Sequence, residues 1–107
     1  IMMQTRKRLV EVGKNIDSHG LEYNDNKSLL RDYIKEEEIW ACTTCNACVE
    51  ACPLNIDPLS IIIDLRRYLV MEESAAPTEL NLMFNNIENN GAPWQFSIND
   101  RLNWKNE

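Results

Sequence analysis

All four cysteines of this 107-residue chain lie within eleven residues, as Cys42-x2-Cys45-x2-Cys48-x3-Cys52, and Pro53 follows them directly. A disulfide framework usually spreads its cysteines so that the bridges join distant segments. Four thiols in one short stretch indicate a metal centre instead, with disulfides as the least favoured alternative. Such thiols persist in a reducing compartment, so we expect a cytoplasmic location, with the cytoplasmic face of a membrane complex as the alternative.

The spacing of the cysteines matches one kind of metal centre in particular, the [4Fe–4S] cluster. Thiolates are the usual protein ligands of these clusters, and a run that ends in Cys-Pro is the pattern of bacterial ferredoxins. A spacing of three lets a short loop wrap around three corners of the cluster while its backbone N–H groups face the sulfides. Small intervening side chains permit this approach: Thr43, Thr44, Asn46 and Ala47. The sequence therefore predicts the following cofactor-binding and metal-ligating residues: Cys42, Cys45, Cys48 and Cys52.

The stretch from Ala47 to Cys52 is predicted to form one helical turn. This turn places Cys48 and Cys52 at positions i and i+4 on one face. Two thiolates so arranged can reach two different metal centres, and in two-cluster ferredoxins the fourth cysteine does bind the other cluster. Pro53 then ends the turn, because it has no N–H group to donate.

A zinc site built from the same four thiolates is the alternative interpretation. It would make the chain a zinc-stabilised protein-interaction module without a redox role. Structural zinc usually takes its ligands from two separated pairs of residues, which a compact run ending in Cys-Pro fits poorly. We therefore expect a [4Fe–4S] cluster and a role in electron transfer.

Around these cysteines the chain resembles the dicluster iron–sulfur subunits with a helical-ferredoxin fold. The resemblance extends from Trp40 to Arg67, and its most specific part is the run from Trp40 to Cys48 together with Cys52-Pro53. Similar proteins are the dicluster subunit of heterodisulfide reductase and its bacterial relatives, the C-terminal iron–sulfur domain of succinate dehydrogenase and fumarate reductase, and the iron–sulfur subunit of anaerobic glycerol-3-phosphate dehydrogenase. The resemblance implies a module that relays single electrons within a larger oxidoreductase complex.

In that family two cysteine motifs hold two [4Fe–4S] clusters. The resemblance implies that Cys42, Cys45 and Cys48 bind one cluster and that Cys52 binds its neighbour. This chain has one motif, and it begins with Ile1 rather than methionine. We therefore expect residues 1–107 to be a single iron–sulfur domain from a longer protein, whose upstream half supplies the second motif and the second cluster. Asn46 stands where the family often has glycine, and asparagine is the next most tolerant of left-handed backbone angles.

The whole chain is predicted to be an all-α, helical-ferredoxin-like half-domain of about four to five short helices around the cluster-binding loop. Apolar spacing predicts a first helix from Met2 to Lys14. The polar stretch from Asn15 to Lys27 is predicted to be a loop. Ser28 is expected to cap a second helix that continues toward Trp40.

Three further helices are predicted after the cysteines. Asp57-Pro58 combines an N-cap acceptor with proline at the first helical position, and this helix is expected to run to about Glu73. The next helix should span Thr78 to Asn90 and stop at Gly91. A last short helix, from Asp100 to Trp104, is expected to be capped by Ser97.

The net charge of −6 argues against nucleic acid or an anionic membrane surface as the main partner. Three features are interpreted as solvent-exposed surface: the basic cluster Arg6–Arg8, the acidic run Glu36–Glu38, and His19 in its predicted loop. No apolar run approaches the roughly 18 residues that a membrane span requires. No histidine, serine or carboxylate arrangement offers a substrate site, so no catalytic residue is assigned and we do not expect an enzyme by itself.

The helix after Pro58 has a narrow polar face. Ser60, Asp64 and Arg67 form one polar stripe, which Arg66 widens slightly, and apolar residues cover the rest. A helix on the surface of a domain normally has an apolar stripe of just over about 100°. This helix is therefore expected to be buried on two sides, by the upstream half of the protein, by another subunit of a redox complex, or by self-association.

Overall fold

The computed structural model describes residues 1–106, and these residues form helices and no β-strand. The predicted all-α class is therefore confirmed. The α-helices assigned in this part of the chain are α1 Met2–His19, α2 Leu29–Asp32, α3 Glu36–Trp40, α4 Ala47–Glu50, α5 Pro58–Arg67 and α6 Thr78–Asn90. None of these helices combines the length and the apolar character needed to cross a membrane. The chain divides into two compact units, residues 1–68 and the residues from Leu69 onward.

The first unit packs around buried aliphatic side chains, which are Leu30, Ile34, Ile39 and Ile62. Helix α5 contacts both α3 and α4, and α1 contacts α2. The first two cysteines of the predicted site lie on the loop of residues 41–46 that joins α3 to α4. The cysteine loop is therefore held between two short helices that pack on the same third helix.

Helix α5 begins as predicted. The Asp57 Oδ1 atom accepts a hydrogen bond from the Ser60 N–H group at 2.9 Å, and Pro58 occupies the first turn, where a missing N–H group costs nothing. The helical backbone continues to Glu72, close to the predicted end at Glu73, but Tyr68–Glu72 is π-helical. An apolar pattern does not distinguish these two backbone hydrogen-bonding ladders, so this change was not predictable from it.

Helix α1 extends past its predicted end and stops at His19. Gly20 ends it with a φ of 91°, and the Gly20 N–H group donates to the Ile16 carbonyl oxygen at 2.8 Å. The prediction of a loop from Asn15 was wrong because Ile16 is half-buried and the Asn15 side chain donates a hydrogen bond to Asp25 at 3.2 Å. Tertiary contacts thus stabilise a last turn that local propensity leaves weak.

The prediction of one helix from Ser28 toward Trp40 was also wrong. The chain forms α2 and α3 with a break between them, where Arg31 adopts a left-handed φ of 77°. Successive side chains on a straight helix are about 100° apart, so Leu30 and Ile39 would lie on opposite faces of one continuous helix. Both side chains are buried in the structure. The break allows both to enter the same core.

Helix α3 has its own starting interactions. The Glu38 carboxylate accepts from the Lys35 N–H group at 2.8 Å, and the Arg31 Nε atom donates to Glu36 at 2.8 Å. Carboxylates in a first turn also favour the positive end of the helix dipole. The run Glu36–Glu38 is therefore more than the solvated face expected of it, because two of its members stabilise the start of α3.

A polar network joins α1 to the loop that follows it. Arg8 donates to both carboxylate oxygens of Asp25, at 2.5 and 2.9 Å, and to the carbonyl oxygen of Lys27 at 2.6 Å. The Arg8 and Asp25 side chains are only 15% and 13% exposed. The Lys27 Nζ atom lies 2.9 Å from one Glu11 oxygen, and the Tyr33 hydroxyl donates to the other. Arg8 is therefore an internal ion-pair partner and not part of a solvated face.

The second unit is built on α6, which has the predicted bounds and stops at Gly91, where φ is 66°. The buried Asn86 side chain donates to the Pro93 carbonyl oxygen at 3.1 Å. This bond fixes the chain just after the helix. The last predicted helix is a 3₁₀ helix, Ile98–Asn106, and the Ser97 hydroxyl accepts from the Asn99 N–H group at 3.3 Å near its start.

Replacing Asp57 with alanine removes the side-chain acceptor at the start of α5. We expect the free energy of unfolding to fall by about 1 kcal/mol, the usual cost of a lost N-cap. Asp57→Asn is the matched control, because asparagine keeps an oxygen acceptor and should lose much less. Urea unfolding followed by far-UV circular dichroism measures both changes. Equal losses for the two variants would show that the capping bond does not stabilise the helix.

The Arg8–Asp25 pair makes stability depend on pH. Hydrogen bonds from Arg8 hold the pKa of Asp25 well below its ordinary value. The stabilisation is therefore present above the pKa of an unfolded aspartate, about 3.9, and is lost as the pH falls through the lower folded value. We expect Asp25→Asn to lower the melting temperature at pH 7 and to differ less from the unmodified protein at pH 3. A constant difference between these pH values would contradict the ion pair.

Candidate metal centre

The four cysteines lie on one continuous segment of the first unit. Cys42 follows α3 and is half-buried, whereas Cys45 in the loop and Cys48 in α4 are exposed. Cys52 lies beyond α4 and is half-buried. All four are free thiols, so each is available as a ligand.

The loop between α3 and α4 turns sharply because two of its residues adopt left-handed backbone angles. Thr44 has a φ of 57° and Asn46 has a φ of 65°. Asparagine tolerates this region, in agreement with its expected role in place of glycine, but a β-branched threonine is strained there. In return, the Thr44 N–H group faces the first cysteine and donates to the Cys42 Sγ atom at 3.4 Å. The loop thus directs a backbone donor at a predicted ligand.

The helical turn predicted after the loop is present. The Asn46 carbonyl oxygen accepts from the N–H groups of Val49 and Glu50, both at 3.2 Å, and starts α4. The turn continues beyond the helix, since the Cys52 N–H group donates to the Val49 carbonyl oxygen at 3.2 Å. Cys48 and Cys52 are therefore separated by one turn, as the sequence predicts.

The electrostatic environment favours the thiolate form at one position. The backbone N–H group of Ala47, and then the hydroxyl group of Thr43, lower the pKa of the Cys45 thiol by hydrogen bonding. The thiolate is the form of cysteine that binds metals. Local backbone geometry thus prepares Cys45 to act as a ligand.

Arg66 is a residue that the sequence prediction underrated. Its guanidinium group donates to the Ile39 carbonyl oxygen at 3.1 and 2.8 Å and to the Cys42 carbonyl oxygen at 2.5 Å. Its central carbon lies 5.1 Å from the centre of the Trp40 ring. The available signal was its position four residues after the buried Ile62, which places it on the buried face of α5 and outside the polar stripe.

The indole group of Trp40 carries a further donor near the loop. The Trp40 Nε1 atom is buried and has no hydrogen-bond partner within the described residues. Buried donors are nearly always satisfied, and an exception marks a place where an acceptor from outside the chain belongs. A cluster sulfide or a bound water is an acceptor of that kind.

The donor set fits an iron–sulfur cluster. Among residues 1–106, no three cysteine, histidine, aspartate or glutamate side chains form a group that could hold a metal ion. The structure thus places the four predicted ligands in one loop without gathering three of them around one point. Their chemistry nevertheless matches the cluster, because four free thiols are combined with backbone N–H groups directed at Cys42 and Cys45.

Comparison with known protein families agrees with this chemistry. The model of the 4Fe-4S dicluster domain matches residues 3–56, which are 54 of the 107 residues of the chain. The matched region contains all four cysteines and Pro53. No solved structure matches the chain.

Three curated proteins illustrate the similarity. The probable iron-sulfur-binding oxidoreductase FadF of Bacillus subtilis is 45% identical over 87 residues, covering 81% of this chain and 12% of FadF. The EtfAB:quinone oxidoreductase of Syntrophomonas wolfei is 41% identical over 81 residues, covering 76% of this chain and 11% of that protein. A subunit of the ferredoxin/F420H2-dependent CoB-CoM heterodisulfide reductase of Methanosarcina acetivorans is 40% identical over 50 residues, covering 47% and 29%. This chain therefore spans only a small part of the relatives it matches.

These similarities confirm the predicted resemblance to dicluster iron–sulfur subunits, including that of heterodisulfide reductase. They also confirm the [4Fe–4S] cofactor and electron transfer as the class of function. None of them supports the zinc-stabilised alternative. The chain belongs to the 4Fe-4S dicluster domain family.

Proposed function

We propose that Cys42, Cys45 and Cys48 bind one [4Fe–4S] cluster and that Cys52 is a ligand of a neighbouring cluster. The observation that carries this proposal is the complete cysteine run inside the stretch matched by the dicluster model. The turn between Cys48 and Cys52 supports it, because side chains one turn apart can reach two centres, as the fourth cysteine of two-cluster ferredoxins does.

The bound cluster would supply the one-electron redox chemistry, and the chain would hold it and adjust its potential. Backbone N–H groups near Cys42 and Cys45 stabilise negative charge on sulfur, which is one of the factors that set the potential of such clusters. Cys45 and Cys48 are exposed. A cluster held by them would therefore be accessible to a redox partner at the surface. No catalytic residue is proposed.

The chain is proposed to be one iron–sulfur domain of a longer protein. FadF and the EtfAB:quinone oxidoreductase are much longer than this chain, which covers 12% and 11% of their lengths. The names of the relatives describe oxidoreductases and part of a reductase. We therefore propose that the domain relays single electrons to other subunits of an oxidoreductase complex and that a second cysteine motif, with its cluster, lies upstream.

The surface and the charge of the chain bear on its partners and location. The net charge of −6 disfavours nucleic acid, and a set of four free thiols favours the cytoplasm or the cytoplasmic face of a membrane complex. On α5, Ile62 is buried whereas Ile61 and Ile63 are half-buried. This incomplete burial supports a partner, either the upstream half of the protein or a second copy of the chain, that covers the remaining apolar surface.

Replacing Cys45 with serine tests the cluster assignment. Serine lacks the thiolate, and changes to groups outside the ligand set already cost about 10–100-fold in metal affinity, so loss of a ligand should cost at least that. After anaerobic reconstitution, we expect the unmodified protein to bind iron and acid-labile sulfide and to show the visible thiolate-to-iron absorption. The Cys45→Ser protein should lose the absorption that arises from this cluster.

The same reconstitution with zinc alone is the control. We expect the iron form to be stable and the zinc form to be bound weakly. A protein that takes up zinc as readily as iron, and that forms no stable iron–sulfur species, would favour the zinc-stabilised module.

Replacing Cys52 with serine tests the division of ligands between two clusters. If Cys52 serves a neighbouring cluster, Cys52→Ser should reduce the cluster bound by Cys42, Cys45 and Cys48 much less than Cys45→Ser does. Iron content and the electron paramagnetic resonance (EPR) signals of the reduced protein measure both. Comparable losses in the two variants would mean that all four thiolates bind one cluster.

A further inference from the structure

The side chain of Arg66 joins α5 to the start of the cysteine loop. Its Nε and Nη2 atoms donate to the Ile39 carbonyl oxygen at 3.1 and 2.8 Å, and Nη2 also donates to the Cys42 carbonyl oxygen at 2.5 Å. The guanidinium group is half-buried and lies over the Trp40 ring, with its carbon 5.1 Å from the ring centre. A planar group with several donors is suited to such a site, where one side chain must bind two carbonyl oxygens.

These bonds fix the backbone on both sides of Trp40. The carbonyl groups at the end of a helix have no partner within the helix, and Arg66 supplies one to Ile39 at the end of α3. The bond to the Cys42 carbonyl oxygen fixes the peptide group of the first predicted ligand itself. The direction in which Cys42 presents its sulfur therefore depends on a side chain that lies 24 residues further along the chain.

The same side chain brings a positive charge to the loop. The hydrogen bonds described for Arg66 end on neutral carbonyl oxygens, which do not cancel its charge. Its neighbour Arg67 differs in both respects, since it pairs with the Asp64 carboxylate at 2.9 Å and its side chain is 67% exposed. A partly buried charge acts through a lower effective dielectric than an exposed and paired charge does.

We propose that Arg66 is a positioning residue for the cluster site, which holds Cys42 in its ligating orientation and raises the reduction potential of the cluster by its fixed positive charge. This inference rests on the proposed function, in which Cys42 is a ligand. Reduction adds negative charge to the cluster. A cation held beside a ligand therefore stabilises the reduced form more than the oxidised form.

Three variants separate the charge from the geometry. Arg66→Gln removes the charge and most of the hydrogen bonds, Arg66→Lys keeps the charge without the planar fork, and Arg67→Gln removes an exposed charge from the same helix. In the intact protein with its clusters, we expect Arg66→Gln to lower the equilibrium constant for reduction about tenfold, which is 59 mV for a one-electron couple. Arg66→Lys and Arg67→Gln should both stay within about threefold of the unmodified protein. A redox titration followed by EPR measures these values.

A second measurement does not need the cluster. The Ala41 N–H group donates to the Glu37 carbonyl oxygen at 2.9 Å in the last turn of α3, which Arg66 holds from the other side. In the cluster-free protein, we expect amide hydrogen exchange at Ala41 to be several-fold faster in both Arg66→Gln and Arg66→Lys. Arg67→Gln should leave the exchange rate unchanged.

The outcomes distinguish this inference from the proposed function. If the unmodified protein binds no iron–sulfur cluster, the proposed function fails, and Ala41 exchange still reports whether Arg66 holds the end of α3. If the clusters bind but Arg66→Gln shifts the potential no more than Arg67→Gln does, the role of Arg66 in setting the potential is overturned. Unchanged Ala41 exchange in both Arg66 variants would overturn its positioning role.

Discussion

The cysteine loop depends on one junction, where the guanidinium group of Arg66 binds the carbonyl oxygens of Ile39 and Cys42. Helix α3 has only five residues, and a helix of that length is not stable by itself. It persists because Ile39 is fully buried and because α5 supplies both an apolar surface and this arginine. The geometry of the first cysteine is thus set by packing between helices rather than by the loop alone.

The loop itself stores strain close to the ligands. Thr44 is a β-branched residue with a φ of 57°, a conformation that costs free energy and persists only where surrounding structure imposes it. The capping interactions of α4 and the bond from the Thr44 N–H group to the Cys42 sulfur offset part of that cost. A turn of this kind directs N–H groups inward, which is the arrangement that a sulfide-rich cofactor requires.

The remainder of the first unit positions this loop through polar contacts as well as through its small core. Arg8 in α1 binds Asp25 and the backbone of Lys27, and the Tyr33 hydroxyl binds Glu11. These contacts attach the segment before α2 to α1. In a chain of this size the apolar core is modest, so an internal ion pair and a bound cofactor carry a larger share of the structural definition.

Much of the local structure and the chemistry of the site could be predicted from sequence, because their signals are contained in short windows. The cysteine spacing identified the cofactor class, Asp57-Pro58 marked the start of α5, and Gly91 marked the end of α6. Asn46 was expected to tolerate left-handed angles and does adopt them. Each of these features depends on the properties of a few consecutive residues.

Other features were decided only by tertiary structure. The break at Arg31 exists because Leu30 and Ile39 must enter one core, which periodicity along a single helix could not reveal. The partners of Arg8 and Arg66 lie 17 and 24 to 27 residues away along the chain. Sequence patterns within one turn or one helix contain no information about such partners. By itself, the sequence determined which cofactor chemistry this chain carries, whereas the packing of α5 against α3 decided how the first ligand is held.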